Sequence, residues 1–183
     1  MEGGPESVWG NFNCSFNDLT TLKGGPKFVK NDYNCFNNKL TSLEGSPDSI
    51  YRDFDCRSNR LKSLKGGPKN VGVDLGGDFY CDNNLLTNLK GSPETISGHF
   101  ACSSNLLVSL KGAPKRVGGD FGCDNNKLRT LSYLPYRIYG RVIHKGNPVD
   151  FTYTDVKNAQ IESKKRENLA SESFKYYFVH TKL

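Results

Sequence analysis

The sequence predicts a β-rich solenoid: a right-handed coil of 21-residue repeats with short parallel strands, closed by a C-terminal α/β cap. Three observations predict it. Cys14, Cys35, Cys56, Cys81, Cys102 and Cys123 are spaced 21, 21, 25, 21 and 21 residues apart. Around each cysteine the same residue types return in the same order: Pro, a branched residue, an aromatic, Cys, Asn, Leu, Leu and Gly-x-Pro. No repeat has room for a helix of ordinary length. A period this short stacks coils so that residues one repeat apart become neighbours, about 4.8 Å apart in a ladder of parallel strands.

The columns define each coil in turn. Proline (5, 26, 47, 68, 93, 114 and 135) ends the preceding turn, and the glycine before it suits a positive φ or a close coil-to-coil approach. The branched column is Val8, Val29, Ile50, Val71, Ile96, Val117 and Ile138. The aromatic column is Phe12, Tyr33, Phe54, Phe79, Phe100 and Phe121. In Asp53-Phe54-Asp55-Cys56-Arg57 apolar and polar residues alternate, the period of a half-buried strand. The Asn column is Asn17, Asn38, Asn59, Asn84, Asn105 and Asn126, placed to satisfy backbone groups that the turn leaves unpaired. Two Leu columns follow, then a return path of turns or short 3₁₀ helix. One repeat carries four extra residues between Val71 and Phe79, and insertions in solenoids map to loops; Asp74 to Gly77 are the candidates for a role there.

The cysteines read as a stacked, reduced column of small buried hydrophobes rather than as three disulfides, and they have no close Cys-x-x-Cys pair for a metal. Reduced thiols fit a cytoplasmic setting. The opening MEGGPESVWG lacks a basic-then-apolar pattern, so no secretory leader is expected, and no segment is apolar enough for a membrane span.

The pattern Phe-x-Cys-x-x-Asn-x-Leu-x-x-Leu resembles the leucine-rich repeat family, with Phe-x-Cys where that family has Leu-x-Leu. The short coils containing proline look most like the repeats of tailed bacteriophages and some bacteria. The resemblance covers about residues 3 to 139. It implies a curved solenoid and protein binding, and it supplies no catalytic residues. A solenoid over residues 1–140 and a capping region over 141–183 are therefore expected.

Beyond Leu131 the columns fade. Tyr133, Tyr136 and Tyr139 are bulky enough to cover the end of the core. Arg141 to His144 suits one more strand and Lys145-Gly146-Asn147-Pro148 a turn. A helix is expected from an N-cap at Thr154, with Asp155 in its first turn, to about Leu169; its apolar stripe is thin. Phe174-Lys175-Tyr176-Tyr177-Phe178-Val179 reads as a strand that caps the last coil. Lys164-Lys165-Arg166 reads as a solvated face.

The formal net charge is +6, but the signs separate by face. The outward positions beside the aromatic column hold Asp32, Asp53, Asp55, Asp78, Asp82, Asp120 and Asp124 against one Arg57. Like carboxylates one coil apart repel, which a basic protein partner or bound cations would relieve; the face is read either as aspartates that cap turns and block lateral sheet association or as a partner face, with Phe36, Arg57, Tyr80 and His99 near the contact. Lys65, Lys69, Lys90, Lys111, Lys115 and Arg116 lie along the glycine-proline turns, an edge that offers nucleic-acid binding as an alternative. A structural component of a virion or larger assembly is the other alternative. No phosphate loop, zinc motif or nucleophile elbow occurs, and the histidines lack metal spacing. The chain is read as a phage-type binder of a host protein rather than an enzyme, with no cofactor or metal.

Overall fold

The computed structural model describes residues 4–73 and 76–180, and for residues 172–180 the backbone alone. Asp74 and Leu75, half of the insertion, lie outside the described residues.

Each coil carries two short strands instead of one. Ser7–Val8, Phe28–Val29, Ser49–Ile50, Asn70–Val71, Thr95–Ile96, Arg116–Val117 and Arg137–Ile138 form one seven-stranded parallel sheet. Phe12–Asn13, Tyr33–Asn34, Phe54–Asp55, Phe79–Tyr80, Phe100–Ala101, Phe121–Gly122 and Val142–Ile143 form the other. We call them the branched sheet and the aromatic sheet. Registers follow the columns: Tyr33 pairs with Phe54, Phe54 with Phe79, and Ile50 with Val71. The return path from Asn to Pro is turns. The fold is a β-solenoid of 21-residue parallel-strand coils with a C-terminal helix.

The branched, aromatic, Cys and Leu columns point inward and form one continuous core. Aromatic rings stack coil on coil, with centroids 5.6 Å apart for Tyr33–Phe54, 5.2 Å for Phe54–Phe79, 5.3 Å for Phe79–Phe100 and 5.5 Å for Phe100–Phe121. All six cysteines are free and buried. Cys35, Cys56, Cys81 and Cys102 donate Sγ–H to carbonyls of the next coil at 3.1–3.3 Å. Burial pushes Cys14 up to about 11 and Cys123 up to about 12, so these thiols stay protonated and unreactive at neutral pH.

The Asn column bridges coils. Asn59 Nδ2 donates to the carbonyl of Cys56 in its own coil at 3.2 Å and of Cys35 in the preceding one at 3.0 Å, while Oδ1 accepts from the Leu40 N–H at 2.9 Å. The residue just before each Asn takes a left-handed backbone, with φ of 52–54° at Phe16, Asn37, Ser58, Asn83, Ser104 and Asn125. Glycine opens the proline turns up to Pro114 for a second reason: at Gly45 a Cβ would meet the Lys23 amide nitrogen at 2.5 Å, so a residue without one lets the coils approach.

A seventh coil continues past residue 140 to Asn147. Val142 pairs with Phe121. Asn147 takes the Asn position, donating to the Cys123 and His144 carbonyls at 3.1 and 2.7 Å and accepting from the Leu128 N–H at 3.0 Å. Gly146 supplies the left-handed residue before it, at φ 72°. The segment that reads as a plain turn is therefore the last rung of the ladder.

The helix spans Tyr153–His180. Its cap is Thr152, two residues before the expected one: Thr152 Oγ1 accepts from the Asp155 N–H at 3.2 Å, and Asp155 Oδ2 accepts from the Thr152 N–H at 2.8 Å. This reciprocal box satisfies two end donors and holds the Asp155 carboxyl below its ordinary value. The strand expected over residues 174–179 is instead helix. Extending an existing helix forms one hydrogen bond for each residue fixed, whereas a strand needs a free partner edge. Val156 and Ala159 pack on the core, while Ile161 and Leu169 are exposed, in line with the thin stripe. The helix lies along the turns of the last coils. Lys115 bonds Glu167 at 2.9 Å, Lys164 sits 4.6 Å over the Tyr136 ring, and Arg166 sits 4.8 Å over Tyr133. Tyr133 and Tyr136 thus anchor the helix instead of covering the core, and Tyr139 is exposed. It is Phe151 that is buried against the core, edge-on to His144 at 5.8 Å.

Candidate functional site

The outward residues of the aromatic sheet fall into three lines along the solenoid axis. The first enters each strand: Asn11, Asp32, Asp53, Asp78, His99 and Asp120. Backbone donors offset part of the repulsion among these side chains. Each accepts a hydrogen bond from the backbone of the next coil: Asp32 Oδ1 from the Asp53 N–H at 3.3 Å, Asp53 from Asp78 at 2.9 Å, Asp78 from His99 at 2.6 Å, His99 Nδ1 from Asp120 at 2.8 Å, and Asp120 from Arg141 at 2.7 Å. The corner between the two sheets leaves that amide without a ladder partner, and a short acceptor reaches it. The expected repulsion is thus partly offset from within by backbone donors. Charge still has a cost here: burial, with Asp78 and Asp32 adding to it, raises the Asp53 carboxyl, whereas the Arg141 amide lowers that of Asp120.

The other two lines differ along their length. Asn13, Asn34 and Asp55 close tight turns by accepting from the amide two residues on, at 2.9–3.0 Å. The Asp55 carboxylate also grips Arg57 as a fork, with Nε at 3.0 Å from Oδ1 and Nη2 at 2.6 Å from Oδ2. The held guanidinium lies between two rings, 5.5 Å from the Phe36 centroid and 4.9 Å from that of Tyr80. Tyr80 donates its hydroxyl to Asp78. Phe16 extends the row, edge-on to Phe36 at 5.0 Å. Phe16, Phe36, Arg57 and Tyr80 therefore form one continuous stripe over four coils. Its members have few rotamers left to lose, because each is held by its neighbours.

Phe16 was not evident from the sequence, but a signal for it exists. It occupies the left-handed position that other coils give to Asn, Ser or Gly, and it is 71% exposed there. A bulky residue in that backbone region is costly and is retained at functional sites more than elsewhere.

Further along the face, Asp82 accepts from the Ser103 N–H at 2.8 Å, and Ser103 Oγ donates to Asp124, which also accepts from Asn125 Nδ2. Burial raises the Asp82 carboxyl. In the unfolded chain it titrates near the ordinary value of about 3.9. As pH rises from there through the higher folded value, the folded chain holds its proton longer than the unfolded one, so this group subtracts stability. Asp82→Asn keeps the acceptor and removes the charge. The variant is expected to melt with wild type at about pH 4 and above it at about pH 7; an equal loss at both would contradict this account.

The lysine edge is partly neutralised. The residues just after the prolines alternate in sign, and Glu6–Lys27, Asp48–Lys69 and Glu94–Lys115 are ion pairs across adjacent coils. Lys65, Lys90 and Lys111 succeed one another in the column before the glycine, and all three are exposed. Arg116 belongs to the branched sheet and donates to the Tyr136 hydroxyl at 2.9 Å.

Among the described residues no helix is long and apolar enough to cross a membrane, and no three His, Cys, Asp or Glu side chains gather as they would round a metal ion. The parallel strands, Asn rungs and Leu columns make the chain a β-solenoid resembling leucine-rich repeats. No family model matches the chain, and no curated protein or solved structure matches it.

Proposed function

We propose that this protein is a recognition module that binds another protein through the outer face of its aromatic sheet, centred on Phe16, Phe36, Arg57 and Tyr80. The observation that carries the reading is the forked and ring-sandwiched Arg57. Rigid aromatic and arginine anchors dominate binding at protein contacts because they desolvate large areas at small entropic cost. The surrounding Asp32, Asp53, Asp78, Asp120 and Asp124 give the rim a negative sign that suits a basic partner. The chain's resemblance to short phage repeats and its column of reduced cysteines support a host protein in the cytoplasm as the target. The ion pairs at Lys69 and Lys115 leave the lysine edge with less support as a phosphate surface.

Affinity capture from the native cell with wild type and a Phe36→Ala, Tyr80→Ala double variant tests this. The bound protein is expected to fall by at least about tenfold, the size of an anchor loss. Glutamine at Lys65 and Lys90 should leave capture unchanged. Loss of capture in the lysine variant alone would remove the aromatic face as the site.

A further inference from the structure

A second row of aromatics lies on the branched sheet, across the corner from the aromatic sheet. Trp9, Phe28 and Tyr51 follow one another along the outer side of the branched sheet, with centroids 5.4 and 5.8 Å apart. Trp9 is 78% exposed. Tyr51 borders a shallow cavity of about 410 Å³ whose other walls include Ser49, Asn70, Val73, Thr95 and Ser97. The one coil of irregular length builds part of it. At Gly72 a Cβ would meet the Gly77 amide nitrogen at 2.3 Å, so a glycine there lets these two backbone segments close on each other, and Val73 beside it is exposed.

We propose that this face binds a neutral saccharide chain, stacked on Trp9, Phe28 and Tyr51 and hydrogen-bonded in the adjoining cavity. The chemistry of the lining selects that class. Among the described residues, no charged side chain lines the cavity, in a chain with 25 Lys and Arg and 19 Asp and Glu. The cation beside the row, Lys30, is placed over the Tyr51 ring at 4.7 Å. Phosphates, anionic headgroups and charged peptides therefore meet little complement here. A wholly apolar partner would leave the cavity's hydroxyl and amide groups unpaired. A sugar presents a C–H face to a ring and a rim of hydroxyls that both donate and accept, as Ser, Thr and Asn side chains do. The rings are set one per coil in a line, which suits a polymer that repeats along its length. A proline-rich peptide also docks on aromatic rows, but its carbonyls use only the donors of such a lining.

The chain has a single tryptophan, so its emission reports on this face alone. The full-length protein is titrated with cellohexaose, maltohexaose, chitohexaose and decaproline, and in parallel applied to an array of neutral and acidic glycans. The expected result is retention of neutral glycans and a saturable change in Trp9 emission with at least one hexaose. Tyr51→Ala should weaken that binding by at least about tenfold, while Arg57→Ala on the other face leaves it unaltered. Absence of any neutral glycan signal, retention of acidic glycans only, or a response to decaproline alone overturns the proposal. Those outcomes leave the protein-binding reading of the aromatic sheet intact, since the faces share no residue.

Discussion

Asn105→Ala is expected to cost about 4 kcal/mol of unfolding free energy, measured by urea denaturation followed by circular dichroism. The side chain is buried and works in both directions. Its Nδ2 donates to the carbonyls of Cys81, Cys102 and Ser103, each at 3.1 Å, and its Oδ1 accepts from the Leu86 N–H at 3.0 Å. Truncation strands at least the Leu86 donor and the Cys81 acceptor where water cannot reach them, and each orphan costs about 1–3 kcal/mol. Asn17 gives the internal comparison. It stands in the first described coil, is exposed, and bonds only the Cys14 and Ser15 carbonyls of its own coil. Alanine there should cost about 1 kcal/mol or less. Equal losses at the two positions would mean that the bridging bonds carry none of the stability.

Phe100→Ala is expected to cost about 3–5 kcal/mol, because it removes a fully buried ring from the middle of a stack. The neighbouring rings lie nearly parallel to it, at 21° for Phe79 and 8° for Phe121, so neither can tip into the gap without breaking its own contact. In a solenoid each coil holds only the coils beside it, so the damage is local to one junction. Unfolding of the two sides should then separate. Hydrogen exchange of the first three coils is expected to change less than exchange near Phe100, and the urea transition should broaden. A single sharp transition, merely shifted, would show instead that the stack melts as one body.

The stacking itself was legible, because one period carries six chemically distinct columns. The second sheet was not. Its outward residues, Ser7, Phe28, Ser49, Asn70, Thr95 and Arg116, share no property, since two-residue strands held by backbone bonds ask nothing of the side chain pointing to water. The seventh coil was hidden by substitution: Val142 replaces the aromatic and His144 the cysteine, and Asn147 sits among residues that spell a turn. At the C-terminus, Phe174 to Val179 has the composition of a strand, and cooperative extension of the helix that begins at Tyr153 outweighs it. At the candidate site, Phe36, Arg57 and Tyr80 stood out as large residues where other coils have small ones. Their joining into one stripe depends on side-chain direction, which a column cannot carry. The aspartates allowed both a charge reading and a capping reading, and which amides they meet appears only once the corner between the sheets exists.

Every coil passes its Asn and corner-acceptor bonds to the next in the same geometry, and nothing in that geometry sets how many coils there are. Duplicating or deleting one whole coil renegotiates no contact except at the two ends. A gene for such a protein can lengthen or shorten its product by unequal recombination and still encode a folded chain. The recognition stripe, by contrast, is spelled by single residues on particular coils. Scaffold length and surface identity are therefore free to diverge at different rates, and a lineage under pressure to change its target can rewrite the outside while inheriting the inside.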